Sequence, residues 1–199
     1  MEHLPSTRER ILWAAQQVIR EKGLARTTVR EIATAANLSE GALYKHFASK
    51  SDIVLSMLRH APTDYIQFLA ALPMRAGDAT LEHNIAEFVA RSLEFHERTL
   101  PIAVSLFAEP ALLAEFQGVL RERQGGPHKA VELLSAYLAA EQRLGRVGAT
   151  VTTSAVASML AGACFNQTYI HRFEGKKMNK TDTEKFAADL VTATLKALA

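Results

Sequence analysis

The stretch from Thr27 to Lys50, TTVREIATAANLSEGALYKHFASK, constrains this chain more than any other. Thr28 and Glu31 stand three apart, the spacing of a capping box, in which hydroxyl and carboxylate each take an orphan amide. Val29, Ile32, Ala33 and Ala36 then share one face at helical spacing. Asn37 occupies the place where a helix ends in a left-handed residue, because asparagine tolerates positive φ. Leu38 plugs the corner, and Ser39 is a good N-cap for a second helix, Glu40 to His46. That helix buries Ala42, Leu43 and Phe47. It leaves Glu40, Gly41, Tyr44, Lys45 and His46 on other faces. A helix, a tight turn and a short helix with polar and aromatic residues outward form a helix-turn-helix.

TTVREIA followed by A-N-L-S-x-G-x-L-Y-x-H-F-x-S-K resembles the tetracycline-repressor (TetR) family of one-component regulators. The motif holds one register over about two dozen residues, and the likeness extends more weakly through the first helix and the start of the fourth. Beyond about residue 75 it is architectural only. Two positions depart from the family pattern. Asn37 replaces the usual glycine of the turn. Glu40 opens the recognition helix where many members carry a neutral or basic residue; a carboxylate there repels phosphate but accepts from a cytosine amine.

The resemblance implies an all-α fold in two domains. Residues 1–50 are the helix-turn-helix DNA-binding domain, helix 4 from about residue 50 is the link, and residues 51–199 form an all-helical effector-binding and dimerisation domain. It places Thr28, Ser39, Tyr44, His46 and Lys50 like the family's backbone-contacting residues. The residues themselves add Arg30 on the outer side of helix 2, whose bidentate fork suits a guanine edge or a phosphate. Gly41 allows close approach to a groove wall. Glu40, Ala42 and Lys45 are expected to face bases, with Ala42 competing as core.

Charge distribution agrees with that reading. The net charge of the whole chain is only +2, but residues 1–60 hold 9 Lys+Arg against 6 Asp+Glu, whereas residues 61–199 hold 14 against 15. The basic excess lies where phosphate neutralisation needs it. No apolar run reaches membrane-spanning length and Met1 to Ser6 lacks a signal-like core, so a cytoplasmic protein with no membrane partner is expected. Cys164 is alone, which excludes an intrachain disulfide and a cysteine metal cluster.

Along the chain, Ser6 and Glu9 make a capping box that opens helix 1, with Ile11, Leu12, Ala15, Val18 and Ile19 inward and Gly23 closing it. Trp13 is expected at the edge of this small core. Ser49 caps helix 4 and Asp52 answers its dipole. Pro62 either kinks a helix running on toward Leu72 or separates two helices. Pro73 to Asp78 reads as a loop, and Leu81 to Arg98 as a strongly periodic helix. Pro101 begins a short helix through Ala108, and Pro110 another to about Arg123. Helices from His128 to about Leu144 and from Thr152 or Thr153 to about Phe173 follow. Thr181 and Glu184 suggest a last capping box, for a helix ending at Leu198.

The larger domain is expected to hold a cavity for a small, largely apolar effector. Phe68, Phe88, Phe95, Phe107, Phe116 and Phe165 supply aromatic walls, Met57, Met74 and Met159 adaptable ones, and Ser92, His96, Asn166 and Tyr169 polar groups. Each of these also suits an ordinary helical core. The helix with Leu133, Leu134, Tyr137 and Leu138, and the next with Ala155, Ala157, Leu160 and Gly162, either join a second copy or close the monomer. A two-fold dimer suits a palindromic operator.

No His or Glu spacing for a metal, no Gly-rich phosphate loop and no nucleophile elbow is present, so neither enzyme activity nor a cofactor is expected. The expectation is a homodimeric repressor that binds double-stranded operator DNA and is released by its effector. A DNA-bound organiser of chromosome or division machinery is the alternative, and a helical enzyme a distant third.

Overall fold

A computed structural model describes residues 6–60, 63–176 and 179–199. They form ten α-helices and one 3-10 turn, with no strand among the described residues: α1 (Thr7–Lys22), α2 (Val29–Ala35), α3 (Glu40–Tyr44), α4 (Lys50–His60), α5 (Thr63–Ala71), the 3-10 turn Leu72–Arg75, α6 (Leu81–Leu106), α7 (Pro110–Glu122), α8 (His128–Arg143), α9 (Thr153–Phe173) and α10 (Lys180–Leu198). Two compact units emerge, Met1–Pro62 with Thr99–Arg123, and Thr63–Arg98 with Gln124–Ala199. The sequence reading divides the chain at residue 50, whereas the contacts group α4 and the Thr99–Arg123 stretch with the N-terminal helices.

The core of the first unit is built on Ile11, Ala15, Ile19, Ile32, Leu43, Phe47, Ile53 and Val54, joined by Ile102, Leu106 and Leu112. Helices α2 and α3 have seven and five residues. Such lengths are not stable alone in water, so this shared core holds them. Burying Leu43 and Phe47 contributes roughly 2 kcal/mol each. Trp13, expected at the core edge, is 64% exposed. The buried side of α1 is taken by Ile11, Ala14, Ala15, Val18 and Ile19.

The second unit packs Phe68, Leu69, Leu72, Ile85, Phe88 and Val89 against Leu134, Tyr137, Leu138, Ala157, Leu160 and Val191. Several residues of α8 and α9 considered for an intermolecular face are therefore consumed inside one chain. The side of α9 left open carries Ala155, Met159, Gly162, Phe165, Tyr169 and Phe173, spaced at helical intervals. A polar network fastens the 76–79 connection. The fully buried Glu141 accepts from the Gly77 amide at 3.2 Å and lies 3.3 Å from the Arg146 guanidinium. Asn84 donates to the Asp78 carbonyl and to the Tyr137 hydroxyl, both at 3.0 Å.

Four local expectations are corrected. Pro101 does not start a helix but lies inside the 26-residue α6. A proline there withholds the amide that the Glu97 carbonyl would receive, and Arg172 supplies a donor to that carbonyl at 2.9 Å. The segment Pro73–Asp78 is not all loop, because Pro73 sits at the start of the 3-10 turn. The cap of α10 is Asn179, whose side chain accepts from the Asp182 amide at 2.8 Å, two residues before the expected Thr181. Helix α3 ends at Tyr44 rather than His46. The expectation for Pro62 lies outside the described residues.

Candidate functional site

The recognition segment is set by local chemistry. Two of the three expected capping boxes form: Ser6 with Glu9 on α1, and Thr28 with Glu31 on α2. Thr28 Oγ1 accepts from the Glu31 amide at 3.2 Å, and a Glu31 carboxylate oxygen accepts from the Thr28 amide at 2.9 Å. Lys22 bonds the other oxygen at 2.6 Å. That ammonium, with the Thr28 bonds, holds the Glu31 carboxyl down at about 2. Asn37 takes φ +57°, so the turn into α3 uses the left-handed conformation expected of it. Ser39 accepts from the Ala42 amide at 3.1 Å and opens α3. Ser49 does the same for Asp52 at the head of α4.

These constraints leave most of the expected contact residues open to solvent. Thr28, Arg30, Ser39, Glu40, Gly41, Tyr44, Lys45 and His46 are all exposed, and Ala42 is half-buried. Tyr44 is 51% exposed, too open for a core tyrosine. A Cβ on Gly41 would meet nothing within 4 Å, so no contact in this chain demands a glycine there. Lys50 is half-buried and bonded within the chain. Its ammonium donates to the carbonyls of Leu24 at 3.1 Å and Thr27 at 3.2 Å, tying the first turn of α4 to the α1–α2 turn.

The residues expected around an effector separate into two groups. Phe107 is 76% exposed and Phe116 packs on the first unit's core. Neither joins the others. Met57 belongs to the first unit's core, and Met74 and Met159 are 80% and 71% exposed. In the second unit a row of rings runs Tyr65, Phe95, His96, Phe165, Tyr169, Phe173, with centroids 4.6, 5.1, 5.6, 6.2 and 5.9 Å apart in turn. Burial pushes the His96 imidazole down to about 4, so it is neutral at physiological pH. Ser92 is bonded to the Tyr65 hydroxyl at 2.9 Å. Burial raises that phenol to about 12. Phe88 is core, Asn166 is exposed, and Phe68 is covered by the guanidinium groups of Arg91 and Arg75 at 4.8 and 5.7 Å. The sequence reading missed Tyr65; its place three residues before Phe68 on one helical face was the available signal.

The family profile "Bacterial regulatory proteins, tetR family" matches residues 11–57. The chain is 45% identical over 67 residues to the HTH-type transcriptional repressor BepR of Brucella suis, covering 33% of this chain and 32% of that protein. It is 32% identical over 132 residues to the uncharacterised HTH-type transcriptional regulator YvkB of Bacillus subtilis, covering 66% of each. It thus spans about a third of the first relative and just under two thirds of the second. Among solved structures, a TetR-family regulator from Mesorhizobium loti superposes with TM-score 0.72 at 20% identity, over 96% of this chain and 95% of that one. SmeT of Stenotrophomonas maltophilia, solved as a complex with triclosan, gives 0.70 at 24% identity over 97% and 91%. These two likenesses establish the whole-chain fold, and the family profile covers the helix-turn-helix.

Proposed function

We propose that the chain, whose residues 11–57 match the profile of the TetR family of bacterial regulatory proteins, is a member of that family and a homodimeric, sequence-specific DNA-binding repressor released by a small, largely apolar effector. The observation that carries this reading is the exposed side of α3 and its flanks. Tyr44, Lys45, His46 and Arg30 all stand open, on or next to helices whose other residues are fixed in a core. A short helix rigidly backed and outwardly polar is what entry into a major groove requires. In this reading Arg30, Glu40, Ala42 and Lys45 meet base edges. Thr28, Ser39, Tyr44, His46 and Lys50 meet the phosphate backbone, and Gly41 lets that backbone come close.

We assign residues 1–50 to DNA binding and residues 51–199 to effector binding and dimerisation. The open side of α9 supports the dimer, since Met159, Phe165, Tyr169 and Phe173 expose apolar area that a second copy would cover. The ring row through Phe95, His96 and Phe165 supports an apolar, ring-containing effector, and the triclosan complex of the similar SmeT agrees in kind. We assign Phe68, Phe88, Ser92, Asn166 and Tyr169 to the same effector site; Phe107 and Phe116 lie in the other unit. Release follows if the effector binds better to an arrangement in which the paired recognition helices no longer fit successive grooves. No described helix is long and apolar enough to cross a membrane, and we place the protein in the cytoplasm.

The test is selection of duplexes from a random library by the purified protein, followed by gel shift and mass measurement of the complex. The reading expects a palindromic consensus bound by two or more chains. No enrichment over the starting library at low salt would overturn it.

A further inference from the structure

Two basic residues at the start of α1 are bonded to the segments that flank α3. Arg10, on the first turn of α1, donates from Nη2 to the carbonyl of Ala36 at 2.8 Å. Ala36 is the C-cap of α2, immediately before the turn that leads into α3. Arg8, two residues earlier, donates from Nη2 to the buried hydroxyl of Ser56 on α4 at 3.0 Å. Its guanidinium carbon also lies 4.7 Å from the centre of the Phe47 ring, three residues past the end of α3. One arginine therefore grips the chain just before the recognition helix, and the other grips it just after.

We propose that Arg8 and Arg10 are positioning residues for DNA recognition, holding the five-residue α3 from both ends at the angle that base reading needs. The proposal rests on the DNA-binding function above. A helix this short has little stiffness of its own, so its direction is set by what fixes its flanks. The apolar contacts of Leu43 and Phe47 anchor its inner side but allow rocking about that line. A planar guanidinium that bonds a fixed acceptor and lies over a ring resists rocking, and a lysine ammonium cannot reproduce both contacts. Arg8 also reaches α4 through Ser56, so displacement of α4 would be felt at Phe47. Both arginines would then contribute to discrimination between sequences without neutralising a phosphate.

The experiment uses the full chain and the duplex it selects from a random library, with a scrambled duplex as control. Arg8→Ala, Arg10→Ala, Arg8→Lys and Ser56→Ala are compared, each Kd corrected for the active fraction by stoichiometric titration. Expected for all four is about a tenfold loss in the ratio of selected to scrambled affinity. The slope of log K against log salt should keep its wild-type value, since no phosphate contact is lost. Ser56→Ala alters no charge and keeps the test open if Arg8→Ala fails to fold.

A slope reduced by about one unit in the arginine-to-alanine variants, or full recovery in Arg8→Lys, would identify phosphate contacts and overturn the proposal. An unchanged affinity ratio with only a lower active fraction would reduce both residues to fold stability and overturn it equally. Failure to select any duplex would sink the function itself, a result distinct from either.

Discussion

The guanidinium of Arg172 donates to the backbone carbonyl of Glu97, the one group in that stretch of α6 that Pro101 leaves without a helical donor. It also bonds the Glu97 carboxylate. A residue of α9 thus repairs a gap 75 positions away in sequence. Proline in a helix interior costs about 3 kcal/mol largely through that lost bond and the ring clash.

Arg172→Ala should lower stability by about 2 kcal/mol in urea unfolding, because it strands a carbonyl and a carboxylate together. In a Pro101→Ala background the amide returns, and the same substitution should cost about 1 kcal/mol less. Equal cost in both backgrounds would show that the carbonyl bond contributes nothing.

Asn37 holds φ +57° at the turn into α3. Asn37→Gly should leave the thermal midpoint nearly unchanged, while Asn37→Val should cost about 2 kcal/mol, since a β-branched side chain is strained in the left-handed region. A valine variant as stable as the parent would mean that the turn relaxes to another conformation.

How much of this could be read from residues alone depended on distance along the chain. The capping boxes at Ser6 and Thr28, the left-handed Asn37 and the caps Ser39 and Ser49 involve partners within four positions, and all form as expected. The direction of long basic side chains was not legible. Arg8, Arg10 and Lys50 reach acceptors 23 to 48 residues away, so charge counting alone sent their charge outward. Pro101 misled for the same reason, because its compensating donor is on another helix. For the candidate site, the exposed side of α3 followed from helical period. The ring row followed only in part, since Phe107 and Phe116 share composition with it but not location.

Arg30 and Lys50 should behave differently when replaced. Arg30 is exposed and ties down nothing described, so Arg30→Ala should leave the thermal midpoint within error and relax base preference at one position. Lys50 bridges two carbonyls, so Lys50→Ala should lower the midpoint by several degrees and weaken binding to every sequence alike. Gel shifts against a panel of single-base variants, alongside melting curves, separate the two. Identical profiles would cancel this division of roles.

His96 supplies a pH signature. Its folded-state value near 4 lies below the ordinary 6.5, so the unfolded chain takes up the proton first as pH falls. Stability from this group is complete above about 6.5 and is lost between 6.5 and 4. From pH 7 to pH 5 the loss should be roughly 2 kcal/mol, in a window where most carboxylates barely titrate. His96→Gln should flatten that segment of the stability curve. An unaltered slope in the variant would place the imidazole in water.

Trp13 is the single tryptophan of the chain and sits largely in solvent on α1. Intrinsic fluorescence excited at the indole band therefore reports one unit only. Its emission should be red-shifted and open to iodide quenching. Shielding by a bound duplex would register without any label, whereas melting confined to the other unit would leave the signal unmoved. Nature has placed an optical probe on the half of the molecule whose occupancy matters most.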